Sequence, residues 1–175
     1  MLQSFIRNPF NAATLTICVL SALTIPNFVQ IHKAEAESIT DCRKLVTGTY
    51  LTTNSGDFGS FPSIITFTED GNIFVTASNQ SGVPSIQPYG NVQGSWKCTS
   101  DKEITATTFD FTYPTATLSG KIARSDFRAT FAPKTGIVQA TATVRFFNLN
   151  ANLLKDNAPV AGRFTFTGQR VKPGQ

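Results

Sequence analysis

Apolar and polar positions alternate along much of the second half of the chain. In "IVQATATVRFF", Val138, Ala140, Ala142, Val144 and Phe146 share one face, opposite Gln139, Thr141, Thr143 and Arg145. In "IARSDFRATF", Phe127, Ala129 and Phe131 oppose Arg124, Asp126 and Arg128. "RFTF" sets Phe164 and Phe166 against Arg163 and Thr165. "EITATTFDFTY" ends with Phe109, Phe111 and Tyr113 on one face and Thr108, Asp110 and Thr112 on the other. A period of two marks strands with one buried and one wet face, the habit of antiparallel sheets. On this pattern the aromatic rows, joined by Phe67, face a common interior, and Asp110 and Asp126 stay on polar faces.

Turn residues punctuate these runs at short intervals: "NSGD" at 54–57, "EDGN" at 69–72, "NQSG" at 79–82, "TSDK" at 99–102, "PKTG" at 133–136 and "KDNAP" at 155–159. Thr, Val, Ile and Phe dominate between them, and helix formers are sparse. The spacing predicts about eight strands, near 45–53, 62–68, 72–78, 91–98, 103–113, 115–131 (broken at Gly120), 136–148 and 160–171. Mostly short connections make sequence neighbours sheet neighbours. The expected fold is all-β, an antiparallel up-and-down barrel, because closure removes exposed edges. A two-sheet β-sandwich is the alternative.

The first 36 residues read differently. Arg7 precedes an apolar run of 14 residues, Ala12 to Ile25, and Ala34 and Ala36 form an A-x-A pattern. The run is short for a membrane span of roughly 20 residues and suits a helical signal peptide. Cleavage is expected after Ala36, leaving one domain over 37–175 with no membrane span and a secreted or periplasmic destination. An uncleaved N-terminal anchor is the alternative.

Removing that leader changes the chemistry on offer. The only His, His32, leaves with it, as does Cys18. Cys42 and Cys98 remain, and an even count in an exported chain implies a disulfide. From Glu37 onward the chain holds 13 Lys and Arg against 10 Asp and Glu, a net charge of +3. The basic residues are scattered, which suits a solvated surface and argues against nucleic acid. Without His, no Ser-His-Asp or Cys-His pair can form. Zinc loses its usual ligands as well. No cofactor is implied, and only carboxylate acid–base chemistry stays open, through Asp57, Asp110 or Asp126.

The acidic pair in "TFTEDGNIF" is better explained as a hairpin tip than as a metal site. A three-residue loop Glu69-Asp70-Gly71 needs Gly71 in the left-handed region. It sets Phe67 opposite Ile73 and Ile65 opposite Val75, apolar against apolar. Calcium would require further oxygen ligands close in sequence, which Asn72 alone does not supply. In "QGSWKC", Gly94, Trp96 and Cys98 share a face. Trp96 is expected to pack on the disulfide or to plug one barrel end. Asn79-Gln80-Ser81 fits the N-glycosylation sequon.

The runs "GTYLTT", "ITFTEDGNIFVTAS", "GSWKC" and "EITATTFDF" resemble the meander of calycin-like barrels, the lipocalin relatives. Gly48-Thr49-Tyr50 stands where those open with Gly-x-Trp or Gly-x-Tyr. The likeness covers about 45–112. Two departures are a Trp that falls mid-chain and the lack of a C-terminal helical pattern. With its closing "FTFTGQRV", the chain also resembles small exported bacterial barrel proteins. The resemblance implies an eight-stranded barrel that binds an apolar ligand. Allene-oxide-cyclase-like and dirigent-like barrels share that shape, so shape alone does not assign a function.

Three expectations follow. The first is a non-enzymatic binding module holding a small hydrophobic molecule among Phe67, Phe109, Phe111, Phe127, Phe131, Phe146, Phe164 and Phe166, with Tyr113 as a polar handle at the mouth. The second is a barrel isomerase or cyclase of the allene-oxide-cyclase-like type, which requires a carboxylate or Tyr inside the barrel. The third is a structural envelope protein.

Overall fold

The computed structural model describes residues 41–84, 86–155 and 157–174. The expected signal peptide, its expected cleavage after Ala36 and His32 lie outside them. Eight strands form a closed antiparallel barrel in sequence order. They are β1 (Gly48–Gly56), β2 (Gly59–Phe67), β3 (Asn72–Ala77), β4 (Val92–Cys98), β5 (Glu103–Thr112), β6 (Lys121–Ala132), β7 (Ile137–Phe147) and β8 (Gly162–Arg170). β1 pairs with β8 from Tyr50↔Arg170 to Gly56↔Phe164, which closes the ring. Each of these strands is thereby paired with two neighbours, as closure requires.

The hairpin at 69–71 has the register that its apolar pattern requires. Phe67 faces Ile73, Ile65 faces Val75, and Gly71 has a φ of 91°. Asp70 holds the tip together by accepting from the Thr68 hydroxyl and, at 2.8 Å, from Asn72 Nδ2. The Thr68 contact, foremost, keeps its carboxyl below the usual range.

Four boundaries differ from the sequence pattern. Residues 41–46 are helical, so Leu45 and Val46 are not part of a first strand. The first turn sits at Asp57-Phe58, because Asn54 and Ser55 continue the β1–β2 ladder to Gly56↔Gly59. β2 accordingly begins at Gly59. Residues 113–120 form a connection, and the sixth strand starts only at Lys121. Pro114 lacks an amide hydrogen for a ladder, and the Gly120 backbone bends back against Thr112.

The barrel has two unlike halves. The end holding the 69–71 turn is packed solid. Tyr50, Phe67, Trp96 and Phe131 meet edge to face there, with Phe67 at 5.7 Å from Tyr50, 6.0 Å from Trp96 and 5.6 Å from Phe131. Such arrangements match positive ring edges to negative faces. The 41–46 helix caps this end. Cys42–Cys98 ties it to β4, Tyr50 Oη donates to the Val46 carbonyl at 3.0 Å, and Arg170 donates to the Leu45 and Thr47 carbonyls. Arg43 lies over the Trp96 ring and bonds the Glu69 carbonyl at 2.7 Å. Trp96 Nε1 donates to the Asn72 carbonyl at 3.0 Å. Trp96 thus plugs one end of the barrel. Among the described residues, no helix is long and apolar enough to cross a membrane.

Candidate functional site

The other half of the barrel is hollow. A cavity of about 310 Å³ opens at the end where the long connections 78–91 and 113–120 leave the strands. β6 to β8 give it an apolar wall of Ala123, Phe127, Val144, Phe164 and Phe166. Phe58, Ile86, Leu118 and Phe146 stand at its mouth. Phe127 and Phe166 brace one another edge to face at 5.5 Å.

The facing side carries the cavity's polar groups, set among Phe61, Ile65, Val75, Ala77 and Val92. On β1 and β2, Asn54 Nδ2 donates to Ser63 Oγ at 2.8 Å and to the Phe61 carbonyl at 3.1 Å, while Thr52 and Ser63 hydroxyls lie 2.7 Å apart. On β5, Thr108, Asp110 and Thr112 point inward and are buried. This reverses the face expected for β5. Ala106 pairs with Phe127 and Thr108 with Ser125, and partners across a ladder share a face. The even positions of β5 therefore line the barrel. They are apolar where it is solid (Ile104, Ala106) and polar where it is hollow.

Phe109, Phe111 and Tyr113 are displaced to the outside by the same register. Phe111 is 58% exposed and Tyr113 54% exposed, and Phe109 is half-buried on the outer surface near Phe74 and Arg124. None of the three lines the interior. The remaining candidates do point inward. Phe127, Phe146, Phe164 and Phe166 line the cavity, whereas Phe67 and Phe131 belong to the solid half. Asp126 stays outside, between Arg124 and Arg145 at 3.0 Å from each.

Tyr89 takes the place expected for Tyr113. Residues 88–90 run beside the end of β5, with Tyr113 N to Pro88 O at 2.7 Å, Gly90 N to Phe111 O at 2.9 Å and a bridge between Tyr89 and Thr112. This turns the Tyr89 ring into the cavity, diagonal to Asp110. Its hydroxyl donates to Asn79 Oδ1 at 2.5 Å. Asn79 is itself buried, so its sequon is not presented on the folded surface. Gln80 and Gln87 anchor the same segment through the Gly90, Tyr113 and Ser119 carbonyls. The sequence carried little signal for this wall, because the 78–91 connection has no periodicity.

Electrostatically the cavity has one focus. Burial raises the Asp110 carboxyl from 3.8 to about 7. Burial also raises the Tyr89 phenol, and the nearby Asp110 charge raises it further. Among the described residues, no side chain donates a hydrogen bond to the Asp110 carboxylate, and no Lys or Arg lines the cavity. Nor does any group of three or more His, Cys, Asp or Glu among them lie close enough to hold a metal. The chamber can enclose an apolar body and offer one titratable carboxyl, hydroxyls and amides to its polar edge.

No family model matches the chain. No curated protein matches it either. A solved structure of EF1p2_mFAP2b bound to DFHBI is similar to it, with a TM-score of 0.53 and 14% identity over 76% of this chain and 99% of that one. The likeness is one of fold, a small eight-stranded antiparallel barrel.

Proposed function

We propose that this protein is an exported, calycin-like barrel that carries a small, largely apolar molecule in its open half. The observation behind this reading is the chamber of about 310 Å³ between the Phe127–Phe164–Phe166 wall and the Asp110–Tyr89 edge. A barrel built only for stability gains by filling such a space, since interiors otherwise pack like organic crystals. The similar barrel bound to DFHBI supports the idea that this architecture holds a small molecule. Export rests on the signal-peptide pattern of 1–36, with 37–175 as the single mature domain, and the Cys42–Cys98 disulfide suits an oxidising compartment.

Native mass spectrometry of protein purified from its source tests the carrier reading. Retention of a non-covalent small molecule is expected. A ligand-free mass, together with no uptake of a neutral naphthalene probe, would refute it.

One observation favours a second reading, a barrel isomerase or cyclase. Asp110 is a buried carboxyl that titrates near neutrality, and proton-transfer groups work best there. That reading needs substrate turnover abolished by Asp110→Asn while ligand binding persists.

A further inference from the structure

We propose that the occupant of the chamber carries a cationic nitrogen, as an amine or amidine on an apolar body, and that Asp110 is its counter-ion. This rests on the carrier reading above and adds the ligand's charge to it.

The Asp110 side chain points into the chamber from the polar end of β5. From β4 it is flanked on the inner face by Val92 and Gly94, and from β6 by Ala123 and Ser125, none of them charged. Arg124 on β6 turns outward to Asp126. Lys121, at the rim of the same strand, gives its Nζ to Asn148 Oδ1 at 2.7 Å. From the 78–91 connection comes Tyr89, whose hydroxyl is already donated to Asn79. Among the described residues lining the chamber, Asp110 and Tyr89 are the only titratable ones.

A buried carboxylate with neither a donor nor a counter-charge is poorly stabilised. The protein leaves that role open, and a ligand can fill it. A neutral hydroxyl supplies one hydrogen bond but no charge. An ammonium or amidinium supplies both, and charge-assisted bonds are roughly twice as strong as neutral ones. The opposite wall of Phe127, Phe164 and Phe166 receives the apolar body. An anionic ligand meets the reverse, a like charge at the one place where its polar edge can dock.

Burial also makes the preference pH-dependent, because the Asp110 carboxyl titrates at about 7. Above that value it is charged and the cation is favoured. Below it, the carboxyl is neutral and the preference fades. Near pH 7, uptake of a cation displaces about half a proton to solvent, because the carboxyl is then half protonated.

Three probes of one shape separate the outcomes: naphthalen-1-ylmethylamine, naphthalen-1-ylmethanol and naphthalene-1-acetate. Isothermal titration calorimetry of the intact protein at pH 6 and 8 measures each, and buffers of different ionisation enthalpy at pH 7 count protons. The expected result is an amine at least about tenfold tighter than the alcohol at pH 8 (the gain of one charge-assisted contact). The acetate should be weakest, the margin should shrink at pH 6, and amine binding should release protons at pH 7. Asp110→Asn should equalise amine and alcohol at pH 8. Equal binding of amine and alcohol by the native protein at pH 8 overturns the proposal and spares the carrier reading. So does an amine preference independent of pH or retained in Asp110→Asn. If none of the three binds, both fail. Should Asp110→Asn not fold, the pH dependence and proton count of the native protein still decide.

Discussion

Asp110 gives the barrel a stability profile opposite in sign to that of an ordinary carboxylate. In the unfolded chain it titrates near 3.8, and in the fold near 7. Between those values the folded state binds the extra proton, so this residue makes stability fall as pH rises from about 4 to 7 and then level off. Below both values it has no such effect. With the two values above, the loss amounts to about 2 kcal/mol at pH 5 and about 4 kcal/mol at pH 8.5. Asp110→Asn keeps the shape and removes the ionisation. Its stability relative to the native protein should therefore improve by roughly 2–3 kcal/mol between pH 5 and pH 8.5, the other carboxylates cancelling in the comparison. The chamber opens to solvent at one end, which screens part of the charge and makes the upper figure a ceiling. Urea unfolding followed by circular dichroism, at several pH values and with the disulfide intact, reads the difference directly. A stability gap that is flat across this range, or that narrows as pH rises, would refute the burial argument.

Replacing Cys42 and Cys98 together by Ser should cost about 4 kcal/mol in urea unfolding, from a bridge that spans 56 positions and pins the capping helix. Phe67→Ala should cost about 3–5 kcal/mol, since Phe67 contacts Tyr50, Trp96 and Phe131 in the solid half. Phe111→Ser should shift stability by no more than about 0.5 kcal/mol, because that ring is outside; a loss as large as that of Phe67→Ala would mean that β5 is turned the other way. Gly94→Val should lower the thermal midpoint sharply, because a Cβ there would meet the Thr107 carbonyl at 2.0 Å, where β4 and β5 approach most closely.

Much of this fold was legible in the chain because it is local. The "TFTEDGNIF" hairpin is set by one glycine and by the matching of Phe67 with Ile73 and Ile65 with Val75. The inward rows of β6, β7 and β8 follow from strict alternation over residues 127–131, 138–146 and 164–166. The pair Cys42 and Cys98, downstream of the expected signal peptide, pointed to the bridge. Trp96 was rightly expected at a plugged end, since a lone indole beside the bridged Cys98 has few other places to bury.

The site was not legible, because it depends on which face of β5 the ladder turns inward. The strand carries Ile104 and Ala106 on one face and Phe109 and Phe111 on the other, so its own pattern is ambiguous. The pairing of Ala106 with Phe127 resolves it, and that pairing is a long-range property of the sheet. It exposes Phe111 and buries Asp110, moving the one carboxylate among the described residues of the chamber from solvent to interior. Tyr89 is placed by the same means, through a connection that gains its shape only by lying along β5. Sequence determined an all-β antiparallel meander, with barrel and two-sheet sandwich both open, and the inward rows of β6 to β8. Only the closed sheet decided that one half would be filled, and that the other would hold an unpartnered acid.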